Sequence, residues 1–486
     1  MIAAKRIDQD QLKLQRLAAF LRTKTSLEFR RTLIFTLAHL PLGILLYQSS
    51  TIGVLHPIAA LLVGLNWALR KTVPLERIAL ACAYIAGSEV LWRMAELPTF
   101  WEFGKYSVAA IMIVALVQRK KYSIPILPVI YFVLLIPSCF LTILNHDLST
   151  AKGMLSFTMS GPLLLLVSCW FFSNVTFNHL QVRRILTALI VPLAAVACTT
   201  FFYTVTAENL QFNNESNFAT SGGFGPNQVS SMLGLGALAA FACFTLFRND
   251  AKFKVYFGLA LLLLSAQSVM TFSRGGMYNA IGAALVMIFF QLREFKTTAK
   301  RLIPIAGLIV FFFLLLFPLM DTFTGGKLTE RFTDTGTTRR GDIVESDFAI
   351  MAENPILGVG VGESKIYREK FLHYEANSHT EFSRLVSDHG SFGFLAVFCL
   401  FVIAVFNITR HESSFGKAFA GSMVAWSVLF MMNAGMRLAA PAFIWGLSYA
   451  AVRGYKTVRK RAAVTRAPDA SPLAMPSGPT DHAATT

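Results

Sequence analysis

The chain has 486 residues and a formal net charge of +17; 54% of its residues are hydrophobic and only 15% are charged. Soluble globular domains carry about 25% charged residues, so this composition excludes an ordinary soluble protein and indicates an integral membrane protein. The basic excess then reflects membrane topology and contact with anionic lipid. We therefore expect membrane lipid, and no nucleic acid, among the partners.

Apolar runs that are long enough to cross a bilayer recur along the whole sequence. A spanning helix needs roughly 20 predominantly apolar residues, and the runs predict an all-α polytopic protein with about 12 to 14 transmembrane helices. The predicted spans are residues 31–48, 52–69, 76–94, 105–118, 123–144, 154–172, 185–206, 227–247, 255–272, 276–291, 302–320, 390–408, 417–433 and 437–452.

The distribution of lysine and arginine predicts the orientation of these spans. The N-terminal segment is basic and every second loop after it is basic too, which is the pattern of segments that stay in the cytoplasm. Both termini are therefore predicted to be cytoplasmic. The predicted division is a basic cytoplasmic tail (1–30), transmembrane helices 1 to 11 (31–320), a large outer loop (321–389), C-terminal transmembrane helices (390–452), and a basic, then disordered, cytoplasmic tail (453–486).

A short polar segment, Ser273-Arg274-Gly275-Gly276, separates two apolar runs at the predicted outer face. Its glycines open a helix, so free backbone N–H groups and the Arg274 guanidinium lie together, a combination that suits an anion such as phosphate. Ser273 and Gly275 are candidate supporting residues. The alternative is that Arg274 only reaches lipid headgroups.

The outer loop 321–389 contains two adjacent arginines, Arg339 and Arg340. They precede a predicted amphipathic helix whose capping signal is Asp342 with Glu345, and a helix N-terminus adds positive potential. Paired arginines there can hold a diphosphate through bidentate, charge-assisted hydrogen bonds. The alternatives are contact with headgroups, or ion pairs with Asp342 and Glu345.

A histidine, His379, is predicted to begin a helix that leads to Gly390 and into the next span. Histidine can accept a proton from a hydroxyl nucleophile near neutral pH, so we expect His379 to be the catalytic base. Asn377 before it and Ser383 one turn below it are candidate supporting residues. The alternative is that His379 caps its helix or packs within the loop.

Taken together, these segments resemble the O-antigen ligase and polymerase superfamily, bacterial polytopic enzymes of the C-type glycosyltransferase class. The resemblance covers residues 225–400. Its motifs are the SRGG segment at 273–276, Arg340 before the helix that ends in the NPILGVG segment at 354–360, and His379 with ten residues between it and Gly390. The chain has Thr380 and Val344 where the family often has Asn and Trp, which leaves the subfamily open.

The resemblance implies a C-type glycosyltransferase fold in the bacterial inner membrane with its active site on the periplasmic face. The implied donor is a glycan on undecaprenyl diphosphate, and the implied acceptor is lipid A–core in a ligase or a lipid-linked repeat unit in a polymerase. Transfer would proceed with inversion, with Arg274, Arg340 and Arg339 on the diphosphate and His379 on the acceptor. No cofactor or metal is expected, because the polar segments lack a magnesium-type carboxylate cluster. The alternative function is a transporter or flippase of lipid-linked oligosaccharide, which predicts polar or broken helices at the midplane.

Overall fold

The computed structural model of the protein describes residues 2–97, 99–208, 210–213, 215–247, 250–292, 295–334 and 340–453, with only the backbone described for 2–24, 295–298 and 301. The N-terminal half contains seven α-helices and one strand. They are α1 (Ile2–Gln48), α2 (Ser50–Leu69), α3 (Leu75–Met94), α4 (Phe103–Gln118), α5 (Ile126–Asn145), α6 (Leu148–Ser173), β1 (Thr176–Asn178) and α7 (His179–Thr206).

The C-terminal half contains the remaining helices and a second strand. They are α8 (Pro226–Leu246), α9 (Ala251–Met270), α10 (Arg274–Gln291), α11 (Phe295–Phe311), α12 (Phe317–Phe323), α13 (Lys327–Thr333), α14 (Arg340–Glu353), α15 (Ser364–Tyr367), α16 (Glu369–Leu372), α17 (Glu381–Thr409), α18 (Ser414–Ala434), α19 (Ala439–Leu447) and β2 (Ala451–Arg453). A π-helical turn at Phe312–Leu316 joins α11 to α12.

The structure confirms the predicted class of an all-α polytopic membrane protein. Among the described residues, ten helices are long and apolar enough to cross a membrane, the first of them being Thr25–Gln48 within α1. The sixteen-residue α4 is shorter than these. A helix rises about 1.5 Å per residue, so twenty residues cover the roughly 30 Å of the hydrocarbon core.

The buried centre of the bundle is α8, which packs against α7, α9 and α10. The contact with α10 depends on glycine, because a Cβ on Gly234 would collide with the Gly276 backbone and one on Gly276 with the Ser230 backbone. Small residues allow membrane helices to approach backbone to backbone. This approach fixes the start of α10, and therefore the position of Arg274, against the core.

The predicted C-terminal span 437–452 is not a continuous helix, and that prediction is wrong in this respect. The helical part is α19, nine residues and about 13 Å long. The chain then turns and forms β2, which pairs in parallel with β1. Non-helical backbone at membrane depth is tolerated where protein surrounds it, and every residue of α19 is buried, mainly against α6 and α18.

The outer loop is more helical than its sequence suggested. The amphipathic helix predicted there is present as α14, and three short helices, α13, α15 and α16, accompany it. The prediction that His379 begins a helix is wrong by two residues, because α17 begins at Glu381 and Thr380 caps it, accepting a hydrogen bond from the Phe382 N–H at 3.3 Å. Thr380 therefore takes the capping role that was the alternative for His379.

Candidate active site

The segment before α10 is anchored on α8. The Ser273 hydroxyl donates to Asn227 Oδ1 at 2.7 Å, and the Ser230 hydroxyl donates to the Ser273 carbonyl at 2.9 Å. The residue before it, Phe272, is buried and has φ +58°, a conformation that costs energy for a bulky side chain. Ser273 therefore supports the site as a structural anchor that holds the preceding turn in place.

The Arg274 side chain leaves this anchor at the first position of α10. Its guanidinium donates to the backbone carbonyl of Asp334, just after α13. On the same turn, a Cβ added to Gly275 would lie 3.6 Å from Asn433 Cγ on α18. The start of α10 thus faces both the outer loop and the outer end of α18.

Arg340 is the first residue of α14, and it points toward α18. Its Nη1 donates to Asn433 Oδ1 at 3.1 Å, and Asn433 Nδ2 donates to Asn279 Oδ1 on α10 at 3.0 Å. Among the described residues, neither Asp342 nor Glu345 forms an ion pair with Arg340. Asn433 therefore joins α14, α18 and α10, and no carboxylate of the described residues forms an ion pair with Arg340. Asn433 was not among the residues predicted from the sequence. The other predicted arginine, Arg339, lies outside the described residues.

Three arginines converge at this place. The pKa of Arg340 is lowered by burial and then by the nearby Arg274. The pKa of Arg331 on α13 is lowered by burial and by Arg274, and its Nε donates to the Phe272 carbonyl at 2.9 Å. Positive charges held close together in a half-buried site repel one another, and an anion bound between them reduces that repulsion. Arg331 was missed in the sequence because nothing there distinguishes it from the other basic residues of the loop.

His379 is half-buried beside this cluster. Burial, and then the charges of Arg340, Arg437 and Arg368, together lower the pKa of His379 to about 4. The imidazole is therefore neutral at pH 7 and able to accept a proton. The structure thus brings Arg274, Arg340 and His379, from three separate elements, into one electrostatically coupled group.

A buried ion pair holds the segment that carries His379. Arg368 Nε donates to Asp347 Oδ1 at 2.8 Å, and Arg368 Nη1 donates to the Ala376 carbonyl at 2.7 Å. The Ser383 hydroxyl donates to Asp347 Oδ2 at 2.6 Å. Ser383 therefore helps to hold the segment that carries His379, through its bond to Asp347. A buried pair of this kind is costly to break, because it would leave one charge without its partner.

The glycines of the two outer-loop motifs are in contact with each other. Gly358 has φ +66° and Gly390 has φ +58°, and a Cβ on Gly358 would lie 2.5 Å from the backbone of His389. The Gly362 N–H donates to the Asp388 carboxylate at 3.1 Å. The NPILGVG turn thus packs on the kink of α17 at Gly390, and backbone hydrogen bonds such as Gly360 N–H to the Asp388 carbonyl at 3.1 Å link the two motifs.

A cavity of about 420 Å³ lies beside the His379 segment, and Ser378 and Thr380 line it. Asn377, the predicted supporting residue, is exposed at this cavity. Arg437, from the loop between α18 and α19, also lines it, and its Nη2 donates to the Ser378 carbonyl at 2.9 Å. Arg437 was not predicted as a site residue. Its place in the sequence nevertheless indicated one, because it is a lone arginine between two apolar runs on the predicted outer side, as Arg274 is.

The loop that carries Arg437 is held by buried charges from other helices. Arg93 Nη2 donates to the Arg437 carbonyl at 2.7 Å and pairs with Glu89 at 2.7 Å. Glu89 accepts from the Ala439 N–H at 2.5 Å, and Glu381 accepts from the Met436 N–H at 3.0 Å. Charges on α3 and α17 thus satisfy buried backbone groups just before α19 and at its first residue.

The fold and this site define a polytopic membrane protein with a cationic, histidine-containing site at one end of the helix bundle. Residues 259–398 match the family model described as O-antigen ligase. This match confirms the resemblance predicted from the residues, and over that segment the chain is similar to the O-antigen ligase family. Arg274, Arg340 and His379 all lie within the matched segment, whereas Asn433 and Arg437 lie beyond it. A comparison with curated proteins found no match.

Proposed function

We propose that this protein is a glycosyltransferase of the bacterial inner membrane that works on the periplasmic face. It transfers a glycan from undecaprenyl diphosphate to an acceptor hydroxyl on lipid A–core or on a lipid-linked repeat unit. The observation that carries the proposal is that Arg274 lies near enough to Arg340, and Arg340 near enough to His379, to lower the pKa of each neighbour, which keeps the imidazole neutral. The family match supports the same superfamily of ligases and polymerases.

In the proposed reaction, the acceptor oxygen attacks the anomeric carbon and displaces the diphosphate from the opposite face, so the configuration inverts. The bond from that carbon to the diphosphate oxygen breaks, and its electron pair leaves with the diphosphate. Arg274 and Arg340 hold the leaving charge through charge-assisted hydrogen bonds. The acceptor proton passes to the neutral His379 imidazole.

Binding of the donor would also make His379 a stronger base, because Arg340, one of the arginines that hold the diphosphate, is among the charges that lower the pKa of His379. In the free protein, burial and the arginine charges keep the pKa of His379 at about 4, well below the pH at which a general base is most effective. A diphosphate bound to Arg274 and Arg340 would cancel part of that repulsion and raise the pKa of His379. The imidazole would then become a stronger base only after the donor is in place.

We assign the acceptor side to the cavity at Asn377 and Arg437. The residues on each side of His379, Ser378 and Thr380, line this cavity. In the proposal, an acceptor hydroxyl that enters there reaches the reacting carbon from the face opposite Arg340. This arrangement keeps the acceptor and the leaving diphosphate on opposite faces of the reacting carbon, as in-line displacement requires.

The test is glycan transfer by purified protein in vesicles that contain an undecaprenyl-diphosphate-linked glycan and a lipid acceptor. Replacing Arg274 or Arg340 by Ala should lower kcat/KM roughly 30- to 150-fold, which corresponds to a loss of about 2–3 kcal/mol of transition-state stabilisation. Lysine at either position should restore only part of the rate, because it keeps the charge and loses the bidentate fork.

The matched control is Lys370→Ala, which removes an exposed cation from the same outer loop. Its rate should stay near that of the wild type. If alanine at 274 and at 340 both left transfer intact in folded protein, the diphosphate assignment would be wrong.

A further inference from the structure

A second cavity, of about 1190 Å³, lies between α1, α2, α3 and α7. Its polar rim is at the opposite end of the bundle from His379. Helix α3 shows this, because Glu76 and Arg77 at its start line the cavity while Arg93 near its end bonds the Arg437 carbonyl. Twenty residues of helix separate the two ends by about 30 Å.

The interior of this cavity is apolar and open toward the bilayer. Leu42, Val63, Leu80 and Val191 line it. Val63 and Phe35, which also lines it, are 47% and 49% exposed, so the opening faces the lipid-contacting side of α1 and α2. Its volume exceeds the 300–1,000 Å³ typical of sites for small molecules. An apolar, elongated occupant fits such a space.

The deep wall contains polar side chains that satisfy one another. Trp92 Nε1 donates to His56 Nδ1 at 2.9 Å, so His56 Nε2 carries the hydrogen and donates to the Tyr84 hydroxyl at 2.7 Å. The Tyr84 hydroxyl then donates to His39 Nε2 at 2.8 Å, and His39 Nδ1 donates to the Phe35 carbonyl at 2.7 Å. Each of these links is made within the protein, so the deep part does not require a polar ligand.

The rim has an excess of positive charge. Among the residues whose side chains are described, four arginines and two glutamates line the cavity. Glu28 pairs with Arg183 at 3.3 Å and with Arg184 at 2.9 Å, and Glu76 pairs with Arg184 at 3.3 Å. Both carboxylates are therefore engaged. The other two arginines of the lining, Arg31 and Arg77, are exposed and form no ion pair with any described residue.

We propose that this cavity is a binding site for a membrane phospholipid with an anionic headgroup, from the leaflet opposite the proposed active site. The phosphate lies at Arg31 and Arg77, where each basic side chain near the surface favours an anionic lipid. An acyl chain lies along the apolar interior, where its burial provides the hydrophobic part of the affinity. The site is separate from the one that binds glycan donor and acceptor.

The test uses the full-length protein in detergent, equilibrated with equal amounts of phosphatidylglycerol and phosphatidylethanolamine. Native mass spectrometry then counts the lipids that remain bound. The wild type should retain phosphatidylglycerol in preference to phosphatidylethanolamine. The double variant Arg31→Ala with Arg77→Ala should retain roughly tenfold less phosphatidylglycerol. The control Lys71→Ala removes an exposed cation of the neighbouring loop that does not line the cavity, and should behave as the wild type.

A second variant tests the apolar part without changing a charge. Ala60 lines the cavity and is only partly buried, so Ala60→Trp should fill the space and release both lipids. Inorganic phosphate alone should not raise the thermal unfolding temperature, whereas phosphatidylglycerol should. Equal retention of the two lipids by the wild type would overturn the proposal. So would unchanged phosphatidylglycerol in both the arginine variant and Ala60→Trp.

Discussion

At the scale of single residues, the site depends on how its arginines set the proton affinity of His379. The imidazole has cations around it, and burial acts in the same direction by disfavouring its charged form. The group is consequently neutral over the whole physiological range. A neutral imidazole can accept a proton. Because nearby arginine charges contribute to the pKa of His379, that pKa should change when one of those charges is removed.

The pH dependence of transfer should follow this titration. Since kcat/KM reports the free enzyme, it should stay level from about pH 8 down to about pH 5 and fall near pH 4, where His379 becomes protonated. The variant His379→Gln should lose roughly 10²- to 10⁴-fold in rate, and its low-pH decline should disappear. A decline centred near 6.5, or an identical profile in the variant, would contradict the assignment of His379 as the base.

Substitution of Arg437 tests the cause of the low pKa of His379 independently. In Arg437→Gln, the amide can still donate to the Ser378 carbonyl, but the positive charge that disfavours protonation of His379 is gone. The low-pH decline of kcat/KM should therefore move to higher pH. The variant Arg437→Lys keeps the charge and should leave the decline in place. A profile that does not move in Arg437→Gln would show that Arg437 acts only by packing.

At the scale of structural elements, the outer loop is positioned by the contact between the NPILGVG turn and the kink of α17. Gly358 and Gly390 both have positive φ, and neither position has room for a Cβ against the facing backbone. The contact fixes the turn that follows α14 on α17, at Gly390, which is eleven residues after His379. Arg340 and His379 therefore depend on it although neither glycine is charged or reactive.

Alanine at these glycines should destabilise the fold. Gly358→Ala and Gly390→Ala each combine a strained φ, which costs about 1–3 kcal/mol, with a steric clash. We expect a lower unfolding temperature and loss of transfer. The control is Gly153→Ala in α6, where a Cβ would meet nothing within 4 Å. That variant should match or exceed the wild-type stability, because alanine favours a helix. Wild-type stability in Gly358→Ala would refute the contact.

At the scale of the whole molecule, the two ends of the bundle differ in chemistry. One end carries Arg274, Arg340 and His379, and the other carries the basic loops and the lipid cavity at Arg31 and Arg77. Basic loops on the cytoplasmic side orient polytopic membrane proteins. The proposed periplasmic active site therefore depends on this orientation.

Accessibility of introduced cysteines tests the orientation. In a variant without the six native cysteines, Glu369→Cys on the outer loop should react with an impermeant thiol reagent in intact spheroplasts. Lys71→Cys, in the exposed loop between α2 and α3, should react only after the membrane is permeabilised. Labelling of position 71 alone in intact cells would reverse the orientation and place the site in the cytoplasm.

The sequence by itself determined the class of protein and predicted two arginines and the histidine of the proposed site. Apolar runs predict spanning helices directly, because a lipid environment leaves an isolated segment few structures other than a helix. The resemblance to the superfamily followed from the SRGG, NPILGVG and His379 segments, which are local in the chain. Arg274 was identifiable as an arginine between two apolar runs, and Arg340 because it lies just before a predicted helix.

Only the tertiary structure decided which residues meet. Asn433 and Arg437 join the site from elements that are far from it in sequence, and no local pattern reveals such contacts. The end of the last helix was also decided there: the run at 437–452 is apolar enough for a helix, yet α19 ends at Leu447 and the pairing of β2 with β1 satisfies the backbone beyond it in another way. The reason is physical, since hydrogen-bond partners supplied by a strand that is distant in sequence can replace those of a continuous helix.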